Sequence, residues 1–487
     1  MANPMKKEWS DWVNPVLIKE IRQHFHNFGI LSVMGALLAG ELVLLAVMQY
    51  RASDFRGSFT DSGSIMFGFL VGGMVLAAYF ICSMGAMIRF TTERRNRELD
   101  FSFQTTLSPN RIVWGKLAGT LVMTVFIFAL CLPFMVIAYF LRGIEMGSML
   151  LISLATLPPI CIASQLGILI GSVGRRWLVS LFFVLSFFAA QPLVIFTVLL
   201  FTRVGGVDSP VGALLLWYGI GGIILELLYA LSVAAVGSRF SNRMLPVRIS
   251  LIGVIALSPL IGLGIGLIAD PAILLESMLG MLVIAASCIA AFCATLAAFE
   301  RQDPGDRVLR KRPHNPIGHF AHFLVSSGAW GGVVLAYLMM LFAGATAAVF
   351  FLLNPSDGAD LVLWVSGGTY FLFYANVAIL LARRWKILAG WGWWAVTLIA
   401  FIVLPLLFGT GVAMIEREYV PYCFLTAPFC LVKPELGWFG PLLAVISLAV
   451  TGGVMTCSEN CVGRAPLPKP ISPKRCGKSA SRCSTPT

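Results

Sequence analysis

Charge is what this chain has least of. Asp, Glu, Lys and Arg make up 12% of its 487 residues, against about 25% in an ordinary soluble domain. Long blocks carry none, and the charge crowds between them. That pattern excludes a lone soluble core and points to a multi-pass membrane protein, its blocks drawn from a chain that is 58% hydrophobic. Histidine is scarce as well. His24, His26, His314, His319 and His322 gather no carboxylates and no HExxH occurs, so no metal site is expected. The one late Gly-Lys-Ser, Gly477 to Ser479, has Ser472 where a phosphate-cradling loop needs its first glycine. There is no GxSxG elbow. These absences leave no catalytic centre and no cofactor to assign to the chain itself, and it is not expected to be an enzyme. The eleven cysteines contain no CxxC pair, which argues against a zinc site. Cys82, Cys131, Cys161, Cys288 and Cys293 fall in apolar blocks as small hydrophobes, whereas Cys423 and Cys430 share one outer segment and could form a disulfide.

About 20 apolar residues are needed for each crossing of ~30 Å. Twelve blocks qualify: 28–48, 65–88, 117–141, 148–173, 178–201, 211–236, 249–268, 277–299, 324–352, 361–382, 387–412 and 438–456. Asp270-Pro271 marks either a tight outer turn or a break in one long element. The expected fold is therefore an all-α polytopic bundle of about twelve spans. Its parts are a cytoplasmic amphipathic segment, 1–27, a six-span half, 28–248, a second half, 249–456, and a basic, Pro- and Ser-rich tail, 457–487, read as disordered and lying against anionic lipid. The first 27 residues are polar and mixed in charge, so the first span is expected to be retained as its own insertion signal.

The net charge of +12 sits at span ends, so the reading is topology and not nucleic-acid binding. With the N-terminus inside, only Arg51, Arg56, Arg142, Arg203, Arg417 and Lys433 of the 35 basic residues fall outside. Both termini are thus expected in the cytoplasm, with the chain in the cell membrane. Trp114, Trp177, Trp385 and Trp438 sit at span edges as interfacial anchors. Glu41 and Glu226 alone are charged within the spans. A charge at the centre of a lone helix costs about 2.5–3.5 kcal/mol, so each should face protein or water.

The inner loop 89–116, RFTTERRNRELDFSFQTTLSPNRIVWGK, is too polar to span. Leu99, Phe103 and Leu107 recur every four residues and make one stripe of a short helix, with Arg94, Arg97, Glu98 and Asp100 largely off it. Ser108-Pro109 breaks that helix before the third span. Such a helix either rests in the headgroups or fits a partner's groove.

Glu93-Arg94, Leu99-Asp100, Leu107-Ser108-Pro109 and Gly115-Lys116 follow one another at the spacing found after the second span of ABC-2 type permeases, which this segment resembles. Asp100 stands where Glu is usual there, and Thr106 where Pro is common. Asn14-Pro15-Val16-Leu17-Ile18-Lys19-Glu20-Ile21-Arg22 is similar to the interface helix that precedes the first span in that family. The likeness covers about the first 120 residues; the later spans fit by hydropathy or hardly at all. It implies that this chain is the membrane subunit of an ATP-binding-cassette exporter. The loop 89–116 would couple it, through Glu93, Arg94, Glu98, Leu99, Asp100, Leu107, Pro109 and Lys116, to a separate ATPase subunit that binds ATP and Mg. Asn14, Pro15, Glu20 and Arg22 would belong to the interface helix. Either one chain supplies both six-span units of the pathway, or two copies pair.

Two short echoes suggest an internal duplication: Glu93-Arg94 returns as Glu300-Arg301, and Arg175-Arg176-Trp177 as Arg383-Arg384-Trp385. The rival reading is an ion-coupled secondary transporter with Glu226 or Glu41 as proton carrier. A lipid-processing membrane enzyme would need a His, Asp or Glu cluster at one membrane face, and the sequence offers none.

Overall fold

A computed structural model describes residues 14–54, 62–96, 108–140, 145–174, 210–237, 242–269, 274–299, 313 and 315–353, with Val365 and Leu372. Among them every regular element is helical. The helices are α1 (Pro15–His26), α2 (Phe28–Asp54), α3 (Ser62–Ala78), α4 (Gly85–Arg95), α5 (Pro109–Phe140), α6 (Met146–Ala155), α7 (Leu157–Val173), α8 (Pro210–Val236), α9 (Leu245–Ala269), α10 (Leu274–Phe299), α11 (Pro316–Val325) and α12 (Ala329–Leu353). The chain divides into two compact units, Met1–Val365 and Ser366–Thr487, and these helices belong to the first.

Seven helical stretches are long and apolar enough to cross a bilayer: Phe28–Val47, Met66–Arg95, Pro109–Phe140, Met146–Val173, Trp217–Val236, Leu245–Gly264 and Gly331–Phe350. They fit a multi-pass transmembrane protein. Four spans expected from hydropathy, 178–201 and the three from 361 onward, lie outside the described residues together with the tail, apart from the isolated Val365 and Leu372. At Asp270-Pro271 the open question closes in favour of two helices, α9 and α10, which pack on each other.

Where helix ends differ from the hydropathy limits, local chemistry gives the reason. The second span does not stop at residue 88 but runs as one helical rod from Ser62 to Arg95, widening into a π turn at Tyr79–Met84. The third starts at Pro109, not 117. Ser108 caps it, its Oγ accepting from the Arg111 amide at 3.4 Å, and Pro109 takes the first helical position, where a missing N–H costs nothing. In the polar stretches 89–95 and 109–116 the inward-facing charges, Arg89, Glu93 and Lys116, are paired, and Arg94 and Arg95 are exposed. The span expected at 324–352 begins instead at Ala329 as α12; Leu324 and Val325 end a separate short helix, α11, which opens at Asn315-Pro316 and is joined to α12 by the turn Ser326-Ser327-Gly328. The fourth span is interrupted at Thr156, ahead of Pro158 and Pro159 in the first turn of α7.

Small residues set the packing between the second and fourth spans. A Cβ on Gly167 would lie 2.3 Å from the Ser83 carbonyl oxygen, and one on Gly171 would lie 2.9 Å from the Met87 carbonyl oxygen. This Gly-x-x-x-Gly spacing lets α7 approach the backbone of the π turn and α4, the device that membrane helices use where no hydrophobic drive separates protein from lipid. Around it lie the fully buried Met66, Leu70, Met74, Met123 and Ile127 of the first-half core. Gly167→Ala should therefore lower the unfolding midpoint in mild detergent, at a cost of about 1–3 kcal/mol. Gly68→Ala, where a Cβ meets open space, should leave it unchanged or raise it. Equal effects at the two sites would refute this packing.

Candidate functional site

Helix α1 begins at Asn14, whose side chain accepts from the Val16 amide, with Pro15 at the first turn. It runs in the same direction as the first part of α5. The Asn14 side-chain amide donates to the Arg111 carbonyl at 2.6 Å, and Phe25 meets Phe126 edge to face at 5.2 Å. Glycines make the fit possible. A Cβ on Gly115 would lie 2.7 Å from Val16 Cβ, and one on Gly119 would lie 2.9 Å from Glu20 Cβ.

Between those glycines Lys116 turns its ammonium onto two carboxylates from different helices. Its Nζ is 2.5 Å from Glu20 Oε1 on α1 and 2.6 Å from Glu93 Oε2 on α4. The other Glu93 oxygen takes Lys19 Nζ at 2.8 Å. Arg89, one turn before Glu93, sets Nη1 3.8 Å from the second Glu20 oxygen and bonds His24 Nε2 through Nη2. Lys116 also lies over the Phe90 ring, 4.8 Å from its centroid. Glu20, His24, Lys116 and Glu93 are all buried, none more than 9% exposed. The charges in this group are three cations against two carboxylates. Lys19 is exposed, but Lys116, Glu20 and Glu93 are buried and would each be expensive without their partners.

His24 fixes its own tautomer here. Nδ1–H donates to the Glu20 carbonyl at 2.7 Å, which leaves Nε2 as acceptor for Arg89. Burial, with help from the Arg89 charge, lowers its pKa from the usual 6.5 to about 4. A proton on His24 would set a second cation against the guanidinium and remove the acceptor it uses.

The structure thus brings together Asn14, Pro15, Glu20, Glu93 and Lys116 from three separate stretches. Arg22 is exposed on α1, and Arg94 is exposed at the end of α4 against Gly174, which caps α7 with φ +69°. Pro109 opens α5. Glu98, Leu99, Asp100 and Leu107, with the helix expected on them, lie outside the described residues. Glu41 is buried at the middle of α2 and faces the Cys131 thiol of α5, while Glu226 is exposed on α8. The reading from sequence missed Lys19, His24 and Arg89 as members of the cluster, and missed the seat at Gly115 and Gly119. The signals were present as the Gly-x-x-x-Gly spacing and as the one-turn intervals Glu20–His24 and Arg89–Glu93.

The fold and this cluster define a helical, multi-pass type of protein in which a short leading helix is locked by charge to the ends of two long ones. No protein-family model, no curated protein and no solved structure matches the chain. Among the described residues no group of His, Cys, Asp and Glu is arranged to hold a metal ion.

Lys116→Met leaves Glu20 and Glu93 short of their shared cation, so it should destabilise by about 3–5 kcal/mol. Amide hydrogen exchange should rise first in α1. A loss below about 0.5 kcal/mol, with α1 still protected, would contradict the lock. The His24 environment gives a pH dependence with a definite sign. The unfolded chain takes up this proton as pH falls through 6.5, whereas the folded chain resists until about 4. Stability is therefore whole above pH 6.5 and falls between 6.5 and 4, by at most about 3 kcal/mol from this group. Unfolding of His24→Asn measured across that window should show a shallower decline than the parent; parallel curves would refute the assignment.

Proposed function

We propose that the chain is the membrane-spanning permease of an ABC-type exporter, moved by a separate ATPase subunit that binds ATP and Mg. The reading takes the whole bundle as about twelve spans with both termini cytoplasmic, in the cell membrane. The observation that carries it is the convergence of Glu20, Glu93 and Lys116. These are the residues of the N-terminal stretch, the Glu-Arg pair and the Gly-Lys pair through which the chain resembles ABC-2 permeases.

The lock gives the coupling segment its mechanical sense. Residues 97–107 are joined at one end to α4 and at the other to α5. Both helix ends are tied to α1 through one ammonium. A partner that displaces this segment would move three helices together, and so bias the bundle between inward- and outward-open states. Glu93 is taken up by Lys116 and Lys19 inside the chain. The charges left to meet a partner are Arg94, Glu98 and Asp100, which would set docking register more than affinity. The substrate pathway is then either one chain or a pair.

One observation favours a second reading, ion-coupled secondary transport. Glu41 is buried in a span, and neither of its carboxyl oxygens finds a hydrogen-bonding partner among the described residues. The test separates the two. The full chain purified from native membranes in mild detergent should bring down a subunit carrying a phosphate loop, and Glu98→Lys with Asp100→Lys should lose it while the fold is kept. If no such subunit is captured, and transport in vesicles runs without ATP but stops in Glu41→Gln, the exporter reading fails.

A further inference from the structure

The interval from the first residue of α1 to the first of α2, Pro15 to Phe28, equals that from the first residue of α11 to the first of α12, Pro316 to Ala329. Both short helices open on Asn-Pro with the asparagine extended, and both lead at once into a long apolar helix. Placed in that register, every α1 contributor to the charge cluster is replaced: Lys19 by Phe320, Glu20 by Ala321 and His24 by Val325. Helix α11 carries no Asp, Glu, Lys or Arg at all.

The two lie on one side of the molecule. Tyr229, near the end of α8, donates to Asn110 at the start of α5, beside the cluster. The chain then leaves α8 and enters α9 at Arg248. The Arg248 guanidinium is buried in the elbow that follows α11, donating to the carbonyls of Leu324 and Gly328 at 2.8 Å each and to that of Ser326. Asn242 Oδ1 accepts from the Ser327 amide at 2.8 Å. The elbow is fixed, but the helix body is not covered. None of its residues is buried, and Ile317 and Phe320, one turn apart, are 83% and 51% exposed. Three residues separate it from α12, an apolar helix long enough to cross a bilayer, whose Leu341 is itself 70% exposed.

We propose that α11, which repeats the Asn-Pro start and the spacing of α1, takes an apolar seat in lipid where α1 takes an ionic seat on protein. Ile317 and Phe320 dip among the acyl chains at the membrane surface on the side of the charge cluster. A charge-free amphipathic helix, held by its elbow at the end of a span, has its apolar stripe at the depth where the acyl region begins. The consequence is asymmetry. Helix α1 is bound to two span ends, whereas α11 rests on the leaflet and is anchored at its C-terminal elbow by Arg248 and Asn242. The assignment does not depend on what drives transport.

The test uses the full chain in phosphatidylcholine and phosphatidylglycerol vesicles, with the photo-crosslinker p-benzoylphenylalanine introduced singly at Ile317, Phe320, Leu341 or Leu17. Leu341 on α12 should give lipid adducts, and Leu17, which packs at Gly119, should give adducts within the chain. The expected result is lipid adducts at Ile317 and Phe320 in a share comparable to Leu341. Adducts to this chain or to a co-purified subunit at both positions, or none to lipid while Leu341 labels, would overturn the proposal.

Discussion

One ammonium held between two carboxylates organises this end of the molecule. Lys116 belongs to α5, Glu20 to α1 and Glu93 to α4, so a single buried cation joins three elements that are distant in sequence. In a dry site none of the three charges can be left alone, and the desolvation of each is offset only while all are in place. That requirement reaches back to the sequence. Gly115 and Gly119 must be bare for the α1 backbone to come near enough, and α4 must stay helical past the hydrophobic limit so that Glu93 arrives at the right height. His24 must stay neutral so that Arg89 has an acceptor.

The same constraint shapes the functional reading. In the proposed exporter, a push on a segment attached to two independent helices would pass on as two separate motions. With the helix ends cross-linked by Lys116, and α1 bound to both, it would become one motion of a three-helix body. The glycine seat at Gly167 and Gly171 extends that body to α7, because the α4 backbone there is too close to slide past without a steric cost. Arg248 serves another purpose in α9. It donates to the carbonyls at an elbow, and so fixes a turn.

Much of this architecture could be read in the chain, and what could not has identifiable causes. Apolar block length found the described spans but set the start of the third at 117, and Ser108-Pro109, read only as a break, proves to be the cap and first turn of α5. The pairing of Glu93 did not show, since from sequence a charged loop residue looks solvated until the helix opposite is known. The role of Lys116 was hidden for the same reason: its partners lie in other segments. The span expected at 324–352 left most of α11 outside it and did not reveal that helix, because ten residues are too few to read as a span and only Asn315-Pro316 and Ser326-Ser327-Gly328 mark its ends. Glu41 and Glu226 looked alike in the sequence. Their difference, one turned to α5 and the other outward, is a matter of helix rotation that a uniformly apolar span does not encode.

The central claim is that Lys116 and Glu93 hold each other, and a double-mutant cycle measures that directly. Glu93→Gln, Lys116→Gln and the double variant would be unfolded in the same mild detergent beside the parent. A direct buried pair predicts a coupling energy of about 1 kcal/mol or more, the double variant losing less than the two single losses combined. Losses that add to within about 0.3 kcal/mol would show that the two side chains do not sense each other, and the three-helix body would have no lock.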